Sequence, residues 1–515
     1  MKRKLQDIYK GQIRINKSWL KSYKDYVPKI VSIIKKGVSS EDKNGETFNQ
    51  FFSSNSSVSN LGQGAISNDN IAELKQYWSE LEPHFQKLAN NPNCFLKDEY
   101  QQIDRIIRAH TTNHRKIATH RLIATVQPHM FCTIIKDDDL RTLYKYLHQL
   151  VEGEIPPYNP DWYESSKQIR EYFRKNITDK GDEYRIDILP WHFKEYFDSY
   201  KRTIDMENKL VESYKQEVID NKNLILSGAP GTGKSYLARL IAASIIGCDK
   251  DELIGSKQFQ FVQFHPSYDY TDFVEGLRPY QKEGSNDIGF QLEPGIFYRF
   301  CQDALEDKEN NYVFVIDEIN RGEISKIFGE LFFSVEPSYR GPKGNVTTQF
   351  ANLHKEENEF DRMTDNKSKR KGNFFVPENV FIIATMNDID RSVENLDFAF
   401  RRRFPTEYIK WNDTLDSILE TLTISFKEEA KEALTRLNQA ITEEEELGED
   451  YTIGGAYLLH LKDTGDANSS LEAFWNSYLG TIINEYLKGL LSQKDLKEKV
   501  TSLKNKFLEA KTDKQ

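Results

Sequence analysis

Asn223–Ile246 reads NLILSGAPGTGKSYLARLIAASII: an apolar run, a glycine-rich turn ending in Gly-Lys-Ser, then apolar residues at helical spacing. Within it, Gly228–Ser235 (GAPGTGKS) fits the pattern GxxxxGK[ST] in full. The order strand, loop, helix carries as much information as the pattern. A loop so placed turns backbone N–H groups onto phosphates at a helix N-terminus, where the helix dipole favours anions. Lys234 is then the candidate for the β- and γ-phosphates and Ser235 for a Mg²⁺ ligand. Gly228, Ala229, Pro230, Gly231, Thr232, Gly233 and Tyr236 complete the cradle.

Working outward, further short apolar runs alternate with helical segments: FQFVQF (Phe259–Phe264), YVFVID (Tyr312–Asp317) and NVFIIATM (Asn379–Met386). This texture predicts an α/β fold, a parallel sheet between helices. A phosphate loop needs a second strand ending in a carboxylate, and Asp317-Glu318 supplies it about 80 residues downstream. Asp317 is the candidate to bind Mg²⁺ through water, and Glu318 to polarise the attacking water. Asn387, at the end of another apolar run, is placed to orient that water. Leu396–Phe404 (LDFAFRRRF) then puts three arginines at a helix end. Alone, such a triplet reads as a basic surface turn. After a strand of this kind it reads as a charge clamp reaching a neighbouring subunit's nucleotide, which makes oligomerisation a functional requirement.

The chain has 515 residues, 38% hydrophobic and 29% charged, enough for several domains with cores. Three are expected: a mostly helical or mixed N-terminal domain over 1–195, the α/β domain over 196–410, and helical sequence over 411–515. Ser53–Asn68 (SSNSSVSNLGQGAISN) reads as an exposed loop, and Pro156, Pro157 and Pro160 as a linker or turn. Four scattered cysteines, no CxxC pair, and no apolar stretch of spanning length predict a soluble cytoplasmic protein without a membrane segment. The net charge of −10 is uneven: residues 1–200 hold 30 basic against 26 acidic residues, leaving 40 against 54 for the rest of the 70 and 80. Eleven Lys or Arg crowd residues 1–36, with only Asp7 and Asp25 opposing. Overall acidity therefore does not exclude nucleic acid.

These motifs resemble the AAA+ class of P-loop NTPases, and longer strings narrow the resemblance to the McrB family. The strings are FVQFHPSYDYTDFVEGLRP (Phe261–Pro279), EPGIFYRFCQDA (Glu293–Ala304), FVIDEINRGEISKIFGEL (Phe314–Leu331) and VPENVFIIATMNDIDRSVENLDFAFRRRF (Val376–Phe404). The resemblance implies a helical lid after the α/β domain and a homo-hexamer. It also implies hydrolysis of GTP, as in the best-known case, and a separately encoded McrC-like nuclease as partner in restriction of modified DNA. By the same resemblance Asp317, Glu318, Asn320 and Arg321 form the family's DEINR box. Asn387 and Asp390 match the ends of an NTAD-like motif, here NDID, and both count as catalytic candidates. Arg402 and Arg403 are the arginine-finger candidates. Asp272–Gly295 and Gly341–Asn379 look like the family's hairpins. Two departures stand out: Asp388 brings an extra carboxylate near the water-positioning site, and Gly455-Ala456 replace the His-Ser of the family's IGHSY lid string, which removes its side-chain contacts to nucleotide. No NKxD string is present, so ATP stays open beside GTP. A MoxR-like chaperone with a protein-binding N-terminal domain is the alternative reading.

The N-terminal sequence offers two candidate DNA contacts. Arg105, Arg108, His110, His114, Arg115, Lys116, His120 and Arg121 gather in 17 residues, and Met1–Lys36 interleaves its cations with Tyr9, Trp19, Tyr23 and Tyr26. A solvated helix face, or for the histidines a metal site, are the competing readings. No PD-(D/E)xK-like pairing stands outside the motor, so cleavage is assigned to a partner.

Overall fold

Central strands of a parallel sheet are buried on both faces and must be largely apolar along their length, and three of the runs above, at Asn223–Gly228, Tyr312–Asp317 and Val380–Asn387, meet that demand. The computed structural model of the chain describes residues 2–39, 42, 44–52, 66, 68–111, 116–178, 181–281, 288–364, 371–389, 398–422, 424, 426–443, 447–488 and 491–509. Met1–Arg202 and Thr203–Gln515 are two compact units, with the boundary inside the helix Glu183–Asn221.

The first unit is helical. In the helix Lys17–Lys36 the Asn16 side chain caps the start by accepting from Trp19 N at 2.9 Å, and Gly37 ends it at φ 90°. Leu20, Tyr23, Val27, Ile30 and Ile34 are buried, an i, i+3, i+4 stripe that turns this face to the core. Trp19 and Tyr26 are buried too, so the aromatics of the basic segment pack the interior while Lys21, Lys24 and Lys29 face outward. Phe48, Phe51, Phe52, Trp78 and Phe85 form an aromatic knot, with Phe48 meeting Trp78 edge-on at 5.0 Å. One buried carboxylate, Asp187, receives Arg170 Nε at 2.6 Å and the Tyr23 hydroxyl at 3.2 Å, and meets His129 Nδ1 at 2.8 Å. That satisfies an ion that burial alone would penalise. Pro156, Pro157 and Pro160 lie between the helices Asp137–Leu150 and Trp162–Asn176. Of the Ser53–Asn68 stretch, residues 53–65 and Ser67 lie outside the described residues.

The second unit holds a five-stranded sheet, parallel at every pairing, in the spatial order Phe259–Gln263, Tyr312–Asp317, Val380–Asn387, Asn223–Gly228, Thr406–Tyr408. Its strands are β1 (Asn223–Gly228), β2 (Phe259–Gln263), β5 (Tyr312–Asp317), β8 (Val380–Asn387) and β9 (Thr406–Tyr408). β1 is buried throughout and β5 and β8 nearly so, whereas edge strand β2 is only partly covered. Two antiparallel hairpins branch from this sheet. β3 (Glu275–Gln281) pairs with β4 (Ile288–Pro294), and β6 (Val346–Thr347) with β7 (Asn373–Phe374). Beyond β9, helices from Leu415 to Leu508 enclose a separate apolar cluster that includes Leu434, Leu437, Leu458, Trp475 and Phe507.

Candidate functional site

Parallel pairing places Gly228 beside Asn387 and Ile316 beside Ala384, so the carboxyl ends of β1, β5 and β8 share one edge of the sheet. Ligand sites of open α/β sheets lie at this edge. A cleft of about 770 Å³ opens there, lined by Lys234, Ser235, Asp317, Glu318 and Asn387 among others.

The glycine-rich loop takes its shape from backbone that side chains disfavour. Gly233 sits at φ 85° and ψ 16° and starts the helix Lys234–Ile246; a Cβ there would lie 2.7 Å from Thr414 Oγ1. Lys234 Nζ donates to the carbonyls of Gly228 (2.9 Å) and Ala229 (2.7 Å). Burial pushes its pKa down to about 8, against the pull of the carboxylates Asp388, Asp317 and Glu318. Thr232 holds the turn, its hydroxyl donating to Ala229 O at 3.0 Å, and its carbonyl accepts from Thr414 Oγ1 at 2.6 Å.

On the acidic side, Asp317 Oδ1 accepts from Ser235 Oγ at 2.5 Å and Thr385 Oγ1 at 2.6 Å. Thr385 Oγ1 in turn accepts from Glu318 N at 3.1 Å. Thr385 is a clamp that the sequence reading missed; its signal was a hydroxyl inside an otherwise apolar run. Glu318 has φ 52° and ψ 49°, a left-handed conformation that costs a non-glycine residue roughly 1–3 kcal/mol. Arg321 Nε at 2.7 Å and Gln263 Nε2 at 3.2 Å hold its carboxylate. Asn387 lines the cleft, and its carbonyl accepts from Asn320 Nδ2 at 3.0 Å. Asp388 accepts from Ser227 Oγ at 2.5 Å at the end of β1. Burial raises its carboxyl pKa above the usual range, Asp450 adds to this, and Ser227, Lys234 and Arg401 oppose it. Asp390 lies outside the described residues.

An AAA domain of the dynein-related subfamily matches residues 223–404, from the start of β1 through the arginine cluster. Over 256 residues the chain is 36% identical to the Type IV methyl-directed restriction enzyme EcoKMcrB subunit of Escherichia coli strain K12. The aligned region is 48% of this chain and 50% of that protein. The aligned portion of this chain is an McrB-like AAA+ module. Over 222 residues it is also 29% identical to the Type II restriction enzyme BsuMI component YdiS of Bacillus subtilis strain 168, covering 38% of this chain and 60% of that one. The chain thus spans about half to three fifths of the length of these relatives.

The McrB-like module carries its two candidate arginines in different settings. Arg402 is 69% exposed with Nη2 3.3 Å from Glu336 Oε2, while Arg403 is 13% exposed. Arg403 Nε lies 3.2 Å from the same oxygen, an ion contact without hydrogen-bond alignment. Its Nη1 donates to Ala399 O at 2.6 Å and its guanidinium lies 5.7 Å from the Phe332 ring centre. Of the two, Arg402 is the more exposed.

In the lid, the segment Gly454–Tyr457 of the McrB-like module lies directly on the glycine-rich loop through backbone groups. In the first unit, the basic run also divides. Arg105, Arg108 and Lys116 are exposed, with Arg108 paired to Asp104 at 2.8 Å. His120 and Arg121 are buried, because the helix Lys116–Val126 runs through the interior. His120 stacks on Trp162 at 4.2 Å, and Arg121 Nη2 donates to Phe52 O at 2.9 Å. Neither lies at the protein surface, and neither do the buried Trp19, Tyr23 and Tyr26. His114 and Arg115 lie outside the described residues. Among the described residues no three His, Cys, Asp or Glu are grouped to hold a metal ion, and no helix is long and apolar enough to cross a membrane.

Proposed function

We propose that the chain is the motor subunit of an McrBC-type restriction system, hydrolysing GTP or ATP as a homo-hexamer to drive an McrC-like endonuclease against modified DNA. The observation that carries this is the meeting of Lys234, Ser235, Asp317, Glu318 and Asn387 in one cleft of a module similar to a methyl-directed restriction subunit. Backbone N–H groups of Gly231–Ser235 and the Lys234 ammonium bind the phosphates; on binding, Nζ exchanges the Gly228 and Ala229 carbonyls for phosphate oxygens. The Ser235 hydroxyl and Asp317 carboxylate are hard oxygen donors 2.5 Å apart and fit Mg²⁺, which when bound neutralises phosphate charge. Glu318 accepts a proton from the attacking water, and Asn387 orients that water. Arg402 of an adjacent subunit meets the charge that develops on the transferred group. For DNA, the outward lysines of Lys17–Lys36 and the exposed Arg105, Arg108 and Lys116 supply phosphate contacts.

The test is steady-state turnover of GTP and ATP, run in parallel, with no DNA, unmodified DNA and DNA bearing modified cytosines. Modified DNA should raise turnover of the preferred nucleotide. Equal rates with every form of DNA would sink the restriction reading.

A further inference from the structure

The lid segment Gly454–Tyr457 meets the phosphate loop through the loop's carbonyls. Gly454 N donates to Pro230 O at 3.2 Å and Ala456 N to Gly231 O at 2.9 Å, so the lid binds carbonyls and leaves the loop's N–H groups free. Both surfaces have given up side chains to meet. A Cβ on Gly454 would stand 1.9 Å from the Gly231 carbonyl carbon and 2.2 Å from Thr232 N. A Cβ on Gly231, itself at φ 77°, would stand 2.8 Å from the Tyr457 ring. Tyr457 is largely buried over the loop, and burial raises its hydroxyl pKa. A second tie comes from Thr414, whose hydroxyl donates to Thr232 O at 2.6 Å. From the lid, the described residues lining the cleft are Ala456, Tyr457, Thr481, Ile482, Glu485 and Tyr486. None of these is a cation, so the lid's contribution at this wall is to hold shape and not to neutralise phosphate charge.

We propose that Gly454–Tyr457 is a clamp that fixes the conformation of the phosphate loop through its carbonyls, with Gly454 and Tyr457 as positioning residues for nucleotide binding. A loop of glycines is free to scatter its N–H groups in many directions. Two hydrogen bonds to Pro230 and Gly231 and one aromatic ring over Gly231 hold those groups convergent before nucleotide arrives, which lowers the ordering cost of binding. The clamp also explains why Gly455-Ala456 suffices here. A Cβ at position 455 would meet Leu415 Cδ1 at 2.8 Å, so that position faces the lid interior, and position 456 works through its N–H.

This inference rests on the cleft being the nucleotide site, and the experiment separates the two. Binding of fluorescent mant-GTP and mant-ATP is measured on the full chain and on Lys234→Ala, Gly454→Ala, Tyr457→Ala, Tyr457→Phe and Leu503→Ala, with a melting curve for each. Gly454→Ala and Tyr457→Ala should weaken the better-bound nucleotide by roughly ten- to thirtyfold, the loss of one or two neutral hydrogen bonds and a packed ring. Tyr457→Phe should bind as the unaltered chain does, since the ring is what covers Gly231. Leu503 is buried in the lid core on the helix Gln493–Leu508, away from the cleft lining; Leu503→Ala should bind as the unaltered chain does even if its melting temperature falls. The clamp is overturned if Gly454→Ala and Tyr457→Ala bind as the unaltered chain does while Lys234→Ala does not. It is equally overturned if Leu503→Ala loses as much affinity as they do. An unaltered chain that binds neither nucleotide overturns the reading of the cleft itself.

Discussion

Arg402→Ala and Glu318→Gln subunits, each inactive alone, should recover turnover when mixed. The two arginines of this region share Glu336 Oε2, but Arg402 is 69% exposed and Arg403 is 13% exposed. Losing an exposed ion pair costs about 0–1 kcal/mol, so Arg402→Ala should melt close to the unaltered chain. Its loss of turnover should be far larger, roughly a thousandfold or more, the contribution of a trans-acting arginine in phosphoryl transfer. Arg403→Ala differs in kind. It removes a charge-assisted hydrogen bond to Ala399 O and a contact with the Phe332 face, together about 2–4 kcal/mol of stability. The mixing experiment isolates Arg402. In a ring with random exchange, a complete site needs Glu318 on one subunit and Arg402 on its neighbour, so an equal mixture makes about one quarter of the sites complete. Phosphate release plotted against mixing ratio should be a parabola peaking near that value, with co-assembly followed by donor and acceptor dyes on the two variants. If mixed rings form and turnover stays at the sum of the parents at every ratio, Arg402 does not act in trans.

Two further outcomes concern buried charge. Arg121 is fully buried, makes one hydrogen bond to Phe52 O, and leaves Nε and Nη1 without a hydrogen-bond partner among the described residues; desolvation lowers its pKa to about 10. Arg121→Met should therefore stabilise the first unit by about 1–3 kcal/mol in urea unfolding and leave DNA affinity unchanged, and a comparable loss of stability would contradict this account. His354 Nε2 lies 2.8 Å from the buried Glu275 at the base of the β3–β4 hairpin, and this contact raises the histidine's pKa above its usual value, with Asp361 adding and burial opposing. A raised folded-state pKa means the pair's stability is complete below the ordinary histidine pKa and is lost as pH climbs through the raised one. Melting temperature should fall over that window, and Glu275→Gln should flatten the fall.

The sheet was legible because its physics is local. A strand covered on both faces must be largely apolar, so β1, β5 and β8 announced themselves as apolar runs, and the Asp317 and Asn387 that end β5 and β8 marked the sheet's functional edge. In the first unit the aromatics of the basic segment were misplaced because composition was preferred over period. Cations beside aromatics suggested a nucleic-acid surface, yet Leu20, Tyr23, Val27, Ile30 and Ile34 recur at helical spacing, and that spacing already sent Tyr23 inward. Arg121 offered no such cue. From Ala118 to Val126 every residue of its helix is buried, so there is no polar face for a pattern to reveal.

The site divides along the same line between local and distant causes. Lys234, Ser235, Asp317 and Glu318 follow from short motifs whose spacing encodes their geometry. What surrounds them depends on tertiary placement: Gln263 reaches Glu318 from the end of β2, and Glu336 gathers Arg402 and Arg403 from more than 60 positions away. The lid is the clearest instance. Judged by side chains, Gly455-Ala456 had lost the groups that could touch nucleotide. Packing gives the glycine at 454 a positive meaning, since any side chain there would occupy the space of the Gly231 carbonyl carbon. A residue lacking a side chain is therefore what allows the backbone contact, and the phosphate loop, itself built from glycines for the same reason, is held by the one kind of surface able to come close enough.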